Sequence, residues 1–577
     1  MLNLIHFDLP PEELFLDPVA GQGLRFLTFP EFVWRPRDKA QIHGFSASEF
    51  PEITQKIDSF TSVTARAKAF DKAIEFNTVP VVLTDAWFKK SYASASDRLL
   101  LSGAAGTRLL NRYCWENEKA DEDPEARLLA YFAACQSREG ATLPVLSDPL
   151  PPDTPFAIEC RNTFNYYHFI TESLCQLCLV EEHGLQGPIH FHFPNAEEKT
   201  RAFTRAFVDA LFPELSHRVR FDRTPFHHPR VIAPYNFFNA YYHFPNAMMP
   251  PVDTHAPEGG MQFRGKLASR NSQAVLAMNA VDSSLVKLRE RGWRAIAGKD
   301  FSHLPRRFWV GREGDQARTR QMAGEEEMVE MLKLFGFEQV AFERLQPLEQ
   351  IAIMANAEMM VSYHGAGFTN MLFANPEAWV IELGTLQTAQ FRWGDFWRLA
   401  NTAGCRYITF FADYNTSDPL KDPAFATDGI VPVSLSRAGL AQVMSFIVTV
   451  LGHTPNFTRP EDVTRLGRQL MTVGATDKAL ALYRAHIGME RNDIPLSLSM
   501  AEAFEKAEDY EAQLAALYSA YRADPTQWPT LISVIWCARK LNDVETMQAG
   551  LSILRETFPD RFAAFVKQRP WFLKHIA

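Results

Sequence analysis

The order of hydrophobic and polar positions divides the chain into parts with different predicted structures. Between residues 156 and 250, short apolar runs that predict strands alternate with longer amphipathic segments that predict helices. The alternation is cleaner from 306 to 412, where the strands Met359 to Ser362 and Trp379 to Leu383 follow the helix Pro347 to Ala355. Repeated units of this kind predict parallel sheets with helices on both faces.

After Pro460 the pattern changes to helices alone. Asp509 and Asp543 are 34 residues apart, and so are Pro525 and Pro559 at predicted helix ends. A repeat of about 34 residues in Ala-, Leu- and Tyr-rich helices is typical of tetratricopeptide-like helical hairpins. A plain helical bundle is the alternative interpretation.

Proline-rich segments mark the predicted domain boundaries. Residues 250–260 hold three prolines and two glycines, and a second cluster lies at 455–460; such segments are unsuited to helix and sheet interiors. We predict a first Rossmann-like domain within residues 1–255, a second over 256–455, and helical repeats over 456–577. The predicted fold class is α/β, with the two Rossmann-like domains facing a cleft, plus a C-terminal all-α region.

Composition narrows the classes of partner. Hydrophobic residues make up 46% of the 577 positions and charged residues 22%, which is typical of a folded protein rather than a disordered one. A net charge of −9 gives a nucleic-acid partner little electrostatic support. Seven cysteines, a first segment without a basic leader, and apolar stretches too short to span a bilayer predict a cytoplasmic protein with no transmembrane segment. Peripheral attachment to the inner face of the membrane is left open.

One local motif combines a strand, a glycine-bearing turn and a short apolar helix. The strand that ends at Ser362 leads into the run Tyr363-His364-Gly365-Ala366-Gly367-Phe368-Thr369-Asn370. Backbone N–H groups at such a helix start bind phosphate, and Gly365 and Gly367 let a ligand approach the main chain. His364, Thr369 and Asn370 would add donors. The alternative is a tight structural turn with a buried histidine.

A second constellation lies on the predicted helix Phe164 to Glu181. Asn165, His168 and Glu172 have the spacing i, i+3 and i+7, which puts all three on one helical face. An amide, an imidazole and a carboxylate in this arrangement suit hydroxyl binding and proton abstraction. A polar stripe that faces solvent is the alternative.

Cationic and metal-binding candidates are few. Arg312, Arg318 and Arg320 follow the predicted strand that ends at Val310, and arginine forks suit phosphate. The only Asp-x-Asp sequence, Asp121 to Asp123, lies in a hydrophilic loop that is unsuited to holding a metal–diphosphate. His190 and His192 share one face of a strand, but a core position is favoured over a metal site. We therefore expect neither a metal nor a bound cofactor.

Two segments, Asn165 to Leu174 and Arg307 to Leu383, resemble glycosyltransferase family 61. The positions that match the family in order are Val310-Gly311-Arg312, Arg320, Glu325-Glu326, Gln350, Ala357, His364-Gly365-Ala366-Gly367, Thr369-Asn370 and Ile381-Glu382-Leu383. Gly324 departs from the usual Asn, and Phe368 from the usual Leu. The resemblance implies the GT-B fold and transfer with inversion, without an Asp-x-Asp metal.

Our hypothesis for the mechanism gives roles to the candidate residues. A UDP-sugar is the expected co-substrate, with Arg312, Arg320, His364 and the turn 365–370 on its diphosphate and Glu382 on its ribose. Glu172 is the first candidate for the base that deprotonates the acceptor, His168 is the second, and Asn165 lies on the acceptor side.

The expected partners are a nucleotide sugar, a glycan or protein acceptor, and a protein or a second copy of the chain on the helical repeats. A non-catalytic sugar-binding scaffold that uses the repeats is the main alternative. A nicotinamide-dependent oxidoreductase is disfavoured because Asn370 replaces the third glycine of that fingerprint.

Overall fold

The computed structural model describes residues 7–161, 165–194, 201–248, 254–255, 262–263, 270–311 and 322–575. Within these ranges the chain forms two large sheets with helices packed around them, followed by a C-terminal series of helices. The class is therefore mixed α/β with a helical C-terminal region, as predicted.

The first sheet has eight strands and is only half parallel. Four strands are parallel, and the others join them in antiparallel pairs through Thr78–Lys89. Ser96 and Asp97, both with positive φ, form the two-residue turn of one hairpin, and such turns join antiparallel strands. The predicted Rossmann-like pattern thus describes one half of this sheet. In spatial order the strands are Val219–Arg223, Ile189–Phe193, Phe156–Glu159, Phe226–Asn236, Thr78–Lys89, Tyr92–Ala95 and Arg98–Leu99, with Leu24–Phe26 paired to Thr78–Lys89.

The second sheet has seven strands, and all but the short Val433–Ser434 are parallel. The strands predicted between 306 and 412 are all present in it. One strand, Gln41–Ser46, comes from the segment that the sequence assigns to the first domain, and it pairs in parallel with Arg406–Tyr414. The boundary at residue 255 therefore does not separate the two sheets along the chain. The parallel strands lie in the order Glu338–Val340, Arg307–Val310, Met359–Tyr363, Trp379–Thr385, Arg406–Tyr414 and Gln41–Ser46.

A small third sheet also joins distant parts of the chain. Ala73–Phe76 pairs in parallel with Ala280–Asp282 and antiparallel with Trp34–Arg37. Among the described residues, no helix is both long and apolar enough to cross a membrane. The longer helices of the α/β part are Pro51–Ser59, Gly103–Glu116, Pro124–Gln136, Ala202–Leu211, Arg270–Asn279, Ser283–Ile296, Glu325–Leu334, Pro347–Ala355, Trp393–Ala403 and Arg437–Leu451.

The C-terminal region consists of helical hairpins that repeat every 34 residues. The first helix of each hairpin begins at 460, 494 and 528, and the second begins at 476, 510 and 544. Asp509 and Asp543, the pair that revealed the period, are both N-caps that accept hydrogen bonds from backbone N–H groups. The six helices are Pro460–Thr472, Thr476–Ala485, Ile494–Lys506, Tyr510–Ala523, Trp528–Lys540 and Val544–Thr557, with Pro559–Gln568 after them.

The first hairpins are joined to the second sheet by a shared core. Leu466 and Tyr483 belong to the same cluster of buried side chains as Met328 and Val443. Arg465 Nη1 also lies 3.0 Å from Glu330 Oε2 across this contact. The last hairpin has a separate cluster around Leu551. The repeats are therefore continuous with the α/β part rather than tethered to it.

Candidate active site

A cleft of about 2460 Å³ lies between the two sheets. On the side of the first sheet it is lined by His168 and Glu172, and on the side of the second sheet by His364 and the residues 365–367. The structure thus brings together the two constellations that the sequence predicts on separate domains.

The helix Trp393–Ala403 connects the two sides. Its Phe396 ring lies 6.0 Å from the Tyr167 ring and 5.4 Å from the His364 ring, centroid to centroid. The Tyr167 hydroxyl donates a hydrogen bond of 3.0 Å to the carbonyl oxygen of Asp395. The Tyr167 ring also packs against the His168 ring, so the Tyr167–Phe396 pair lies next to both His168 and His364.

On the first side, His168 and Glu172 form a pair. The segment that the sequence predicts as one helix changes from an α-turn at Tyr166–His168 to a π-turn at Phe169–Ser173, a feature frequent at functional sites. His168 Nδ1 lies 2.8 Å from Glu172 Oε1. Asn165 is not on this helical face, because it is the N-cap and its Oδ1 accepts a hydrogen bond from the His168 N–H. Asn165 still lines the cleft, beside the start of the helix.

Two residues that the sequence analysis missed complete this side. Arg108 Nη1 donates to Glu172 Oε2 at 3.1 Å, and its Nη2 donates to Glu159 Oε1 at 3.2 Å. The position of Glu159 in the cleft could have been predicted, because Glu159 ends a parallel strand and ligands bind at the carboxyl ends of such strands. Arg108 had no such signal, because it lies in an amphipathic helix far away in the sequence.

The two carboxylates have pKa values shifted in opposite directions. Burial raises the pKa of Glu172, but the hydrogen bond with His168 and the charge of Arg108 outweigh it and lower that pKa to about 2. Burial also raises the pKa of Glu159, and here it prevails over Arg108, so the value is about 7. Glu172 is therefore a permanently ionised group and a weak base, whereas Glu159 changes charge near neutral pH.

On the second side, His364 is held by a buried carboxylate. His364 Nδ1 lies 2.5 Å from Glu382 Oε1, while Glu382 Oε2 accepts hydrogen bonds from the hydroxyls of Tyr407 and Thr409. Glu382 is 1% exposed and does not line the cleft. This corrects the predicted contact of Glu382 with a ribose: the carboxylate fixes the His364 ring from behind.

Two polar residues of the turn are also used inside the protein. Asn370 Oδ1 accepts a hydrogen bond of 2.6 Å from the Tyr166 hydroxyl, and its Nδ2 donates to Gln350 Oε1 at 3.2 Å. Asn370 therefore joins the two sides of the cleft, which it also lines, and its contact with a diphosphate stays a prediction. Thr369 is fully buried away from the cleft, so its predicted contact with a phosphate is wrong.

The remaining part of the turn lies at the cleft. Gly365 and Gly367 both line the cleft, and Ala366–Phe373 forms a 3₁₀-helix whose start faces it. The first N–H groups of a helix have no acceptor within the helix. Such N–H groups can bind a phosphate.

The predicted arginines Arg312 and Arg320 lie outside the described residues, as does Arg318. The ends of their segment are fixed at the carboxyl edge of the second sheet, where the Trp309 indole N–H donates to Glu325 Oε1 at 3.0 Å. Gly324, found where family 61 usually has Asn, has a φ of 83°, and a Cβ there would lie 2.5 Å from the carbonyl oxygen of Leu435. Only glycine fits this close approach.

The residues considered as metal ligands have the following positions. Among the described side chains, no group of three or more His, Cys, Asp or Glu could hold a metal ion. Burial lowers the pKa of His192 to about 3, and its Nε2 faces the Nε2 of His228 at 2.9 Å. Asp123 is the N-cap of the helix Pro124–Gln136 and does not line the cleft.

One family model matches the central part of the chain. The family model described as Glycosyltransferase 61 matches residues 166–381, just over a third of the chain, including His168, Glu172 and the turn at 364–370. This match indicates a glycosyltransferase family 61 domain over these residues, and with it a glycosyltransferase. No curated protein matches the chain.

Several solved structures are similar to part of the chain. "MamA RS-1 ArsTM double mutant" is 14% identical, with 22% of this chain and 67% of that chain covered and a TM-score of 0.18. "Crystal structure of YrrB: a TPR protein with an unusual peptide-binding site" is 12% identical, covers 23% and 66%, and has a TM-score of 0.19. "MamA MSR-1 C2" is 16% identical, covers 21% and 73%, and has a TM-score of 0.18.

Proposed function

We propose that the protein transfers a sugar from a nucleoside-diphosphate donor, UDP-linked, to a hydroxyl group of an acceptor, with inversion and without a metal ion. The observation that supports this most is the His168–Glu172 pair on one wall of the cleft, opposite the His364 turn on the other. A base and an anion site that face each other across one space suit in-line displacement at a sugar carbon.

In this proposal His168 is the base and Glu172 is its positioning residue. Glu172 engages Nδ1, so Nε2 is the nitrogen that would receive the acceptor proton. As the acceptor oxygen bonds to the anomeric carbon, the bond from that carbon to the phosphate oxygen breaks. The proton passes to His168, and the ionised Glu172 stabilises the imidazolium that forms. The low pKa of Glu172 is the reason for preferring His168, contrary to the order expected from the sequence.

The departing diphosphate would be stabilised by His364 and by the helix start at 365–367. Glu382 orients the His364 ring. Arg312 and Arg320 would add cations from the segment that follows the strand Arg307–Val310. Fixed donors and charges of this kind are the main source of rate enhancement where no metal assists.

The two parallel arrays support a GT-B-like arrangement. The parallel half of the first sheet and the parallel second sheet both direct carboxyl-end residues, Glu159 and His364, to the same cleft. Ligand sites at the carboxyl ends of parallel strands are the general rule for such sheets. The binding of a protein partner or a second copy by the helical repeats stays a prediction.

Nucleotide binding is the first test of this function. Isothermal titration with UDP, GDP and CMP should show selective binding of UDP, and His364→Ala should weaken it about tenfold because an anion partner is removed. The variant His303→Ala, at an exposed histidine outside the cleft, is the control. If none of the three nucleotides binds, the donor assignment is wrong.

Turnover then tests the assignment of the base. In a nucleotide-release assay with a bound donor, His168→Ala should lower kcat by about 10²–10⁴-fold, the usual contribution of a general base. Glu172→Gln should lower it less and alter the pH profile, because it changes the orientation and charge balance of the ring. Nucleotide binding with no turnover of any UDP-sugar would instead support the non-catalytic scaffold.

A further inference from the structure

The helix Gly103–Glu116 presents two chemically different faces. Leu109, Leu110 and Tyr113 are buried in the core beside the first sheet. Arg108 and Trp115 line the cleft. Positions i and i+7 lie on the same side of an α-helix, so this second face runs from the His168–Glu172 pair toward the end of the helix. The helix is outside the part of the chain that matches family 61.

Trp115 is unusual because its indole remains open to solvent. The Trp115 side chain lines the cleft and is 68% exposed. By contrast, Trp309 in the second sheet and Trp397 in the helix Trp393–Ala403 are at most 2% exposed. An indole that gains nothing from burial in the folded chain is available as a flat apolar platform. The C–H face of a sugar ring is the complement of such a platform.

Two polar side chains of the same helix line the cleft together with this indole. Arg112 Nε lies 3.1 Å from Glu116 Oε1, and both side chains line the cleft. Guanidinium and carboxylate groups supply the fixed donors and acceptors that hydroxyl groups need. A flat ring bordered by hydrogen-bonding groups fits a carbohydrate better than an apolar peptide segment, which needs apolar pockets for its side chains.

The spacing links this surface to the proposed chemistry. Arg108 contacts Glu172 directly, and Trp115 lies seven residues further along the helix, about 10 Å at 1.5 Å per residue. That length is the span of a few linked sugar rings. An acceptor chain that reaches His168 with its terminal hydroxyl would pass over Trp115.

We propose that the helix Gly103–Glu116 is the acceptor-binding surface, and that the acceptor is an oligosaccharide with an inner ring stacked on Trp115. This inference rests on the proposed function, since it takes His168 as the place where the acceptor hydroxyl reacts. It selects a glycan over a protein as the acceptor class.

The test measures binding of defined oligosaccharides. Xylo-, manno-, cello- and chito-oligosaccharides of increasing length, and serine- and threonine-containing peptides, are titrated against wild type, Trp115→Ala and Trp115→Phe. Phe29→Ala removes another exposed aromatic side chain, 72% exposed and away from the cleft, and is the matched control.

Wild type should bind at least one oligosaccharide series, more tightly as the chain lengthens over its first few rings. Trp115→Ala should weaken binding of the longer chains at least tenfold, Trp115→Phe should weaken it less, and Phe29→Ala should have no effect. UDP affinity should be the same in all four proteins.

Three results would overturn the proposal: no oligosaccharide binds, peptides alone bind, or Trp115→Ala binds the longer chains as wild type does. If UDP binds wild type and Trp115→Ala has no effect on oligosaccharides, this inference fails alone. If no nucleotide binds, it is the proposed function that fails.

Discussion

At the scale of single residues, one guanidinium contacts two carboxylates whose pKa values differ. Arg108 contacts both Glu172 and Glu159. Glu172 also has the imidazole of His168 beside it, and the two partners together keep it ionised. Glu159 shares the same arginine without a second hydrogen-bond partner of that strength, so burial decides its pKa. His168 thus helps to lower the pKa of Glu172, and the charge of Glu172 adds to the burial that raises the pKa of Glu159.

The pKa of Glu159 predicts a loss of stability as the pH rises. The folded protein holds the Glu159 proton more tightly than the unfolded chain, so the protonated carboxyl adds to the free energy of unfolding. This contribution is complete below about pH 4.5 and is lost as the pH rises toward about 7. Glu159→Gln removes this loss. We expect its free energy of unfolding to improve by about 2 kcal/mol relative to wild type between pH 5 and pH 8.

Urea unfolding at several pH values measures this difference. Glu118→Gln, at an exposed carboxylate outside the cleft, controls for a change of net charge. A constant gap between Glu159→Gln and wild type from pH 5 to pH 8 would contradict the assigned shift.

At the scale of elements, the helical hairpins depend on their caps. Asp543 begins the second helix of the last hairpin, and its Oδ1 accepts a hydrogen bond of 3.0 Å from the Thr546 N–H. The residue before it, Asn542, has a positive φ of 57°, as Glu508 has one repeat earlier. The turn residue and the cap thus recur together with the 34-residue period.

Removal of the cap should destabilise its hairpin locally. Asp543→Ala leaves the first N–H groups of Val544–Thr557 without their acceptor and should cost about 1 kcal/mol. Asp543→Asn, which keeps a side-chain oxygen, should cost much less. Thermal unfolding of the two variants checks this, and equal losses in both would mean that the charge rather than the hydrogen bond matters.

Elements with a local signal were predictable, and contacts between distant segments were not. The helix Pro347–Ala355 and the strand Met359–Tyr363 were expected from adjacent apolar positions and a proline at the helix start. The strand Gln41–Ser46 joins the second sheet through partners more than 360 residues away, which no periodicity encodes.

The same limit applies to the site. His168, Glu172 and His364 could be found because each lies in a short motif. The contact of Arg108 with Glu172 and the burial of Glu382 under His364 depend on how the sheets meet. Residue types alone gave Glu382 to a ribose, although the fold uses its carboxylate to position His364.

At the scale of the whole molecule, the repeats and the second sheet share one hydrophobic core. The last hairpin contributes Val534 and Cys537 to that core and also has a cluster of its own. Two leucines that are both fully buried report on these two cores. Leu466 packs in the cluster that includes Met328 and Leu332, and Leu551 packs in the cluster of the last hairpin. Each leucine-to-alanine change should cost about 2–5 kcal/mol by loss of contacts and formation of a cavity.

The two substitutions should differ in where the structure opens, since each repeat contacts mainly its neighbours. In hydrogen exchange, Leu551→Ala should raise exchange in Trp528–Lys540 and Val544–Thr557 and leave Glu325–Leu334 protected. Leu466→Ala should raise exchange in Glu325–Leu334 as well, and with it weaken UDP binding. If Leu466→Ala raises hydrogen exchange only in the repeats, the helical region opens independently of the second sheet. The shared core would then make no contribution to the stability of the site.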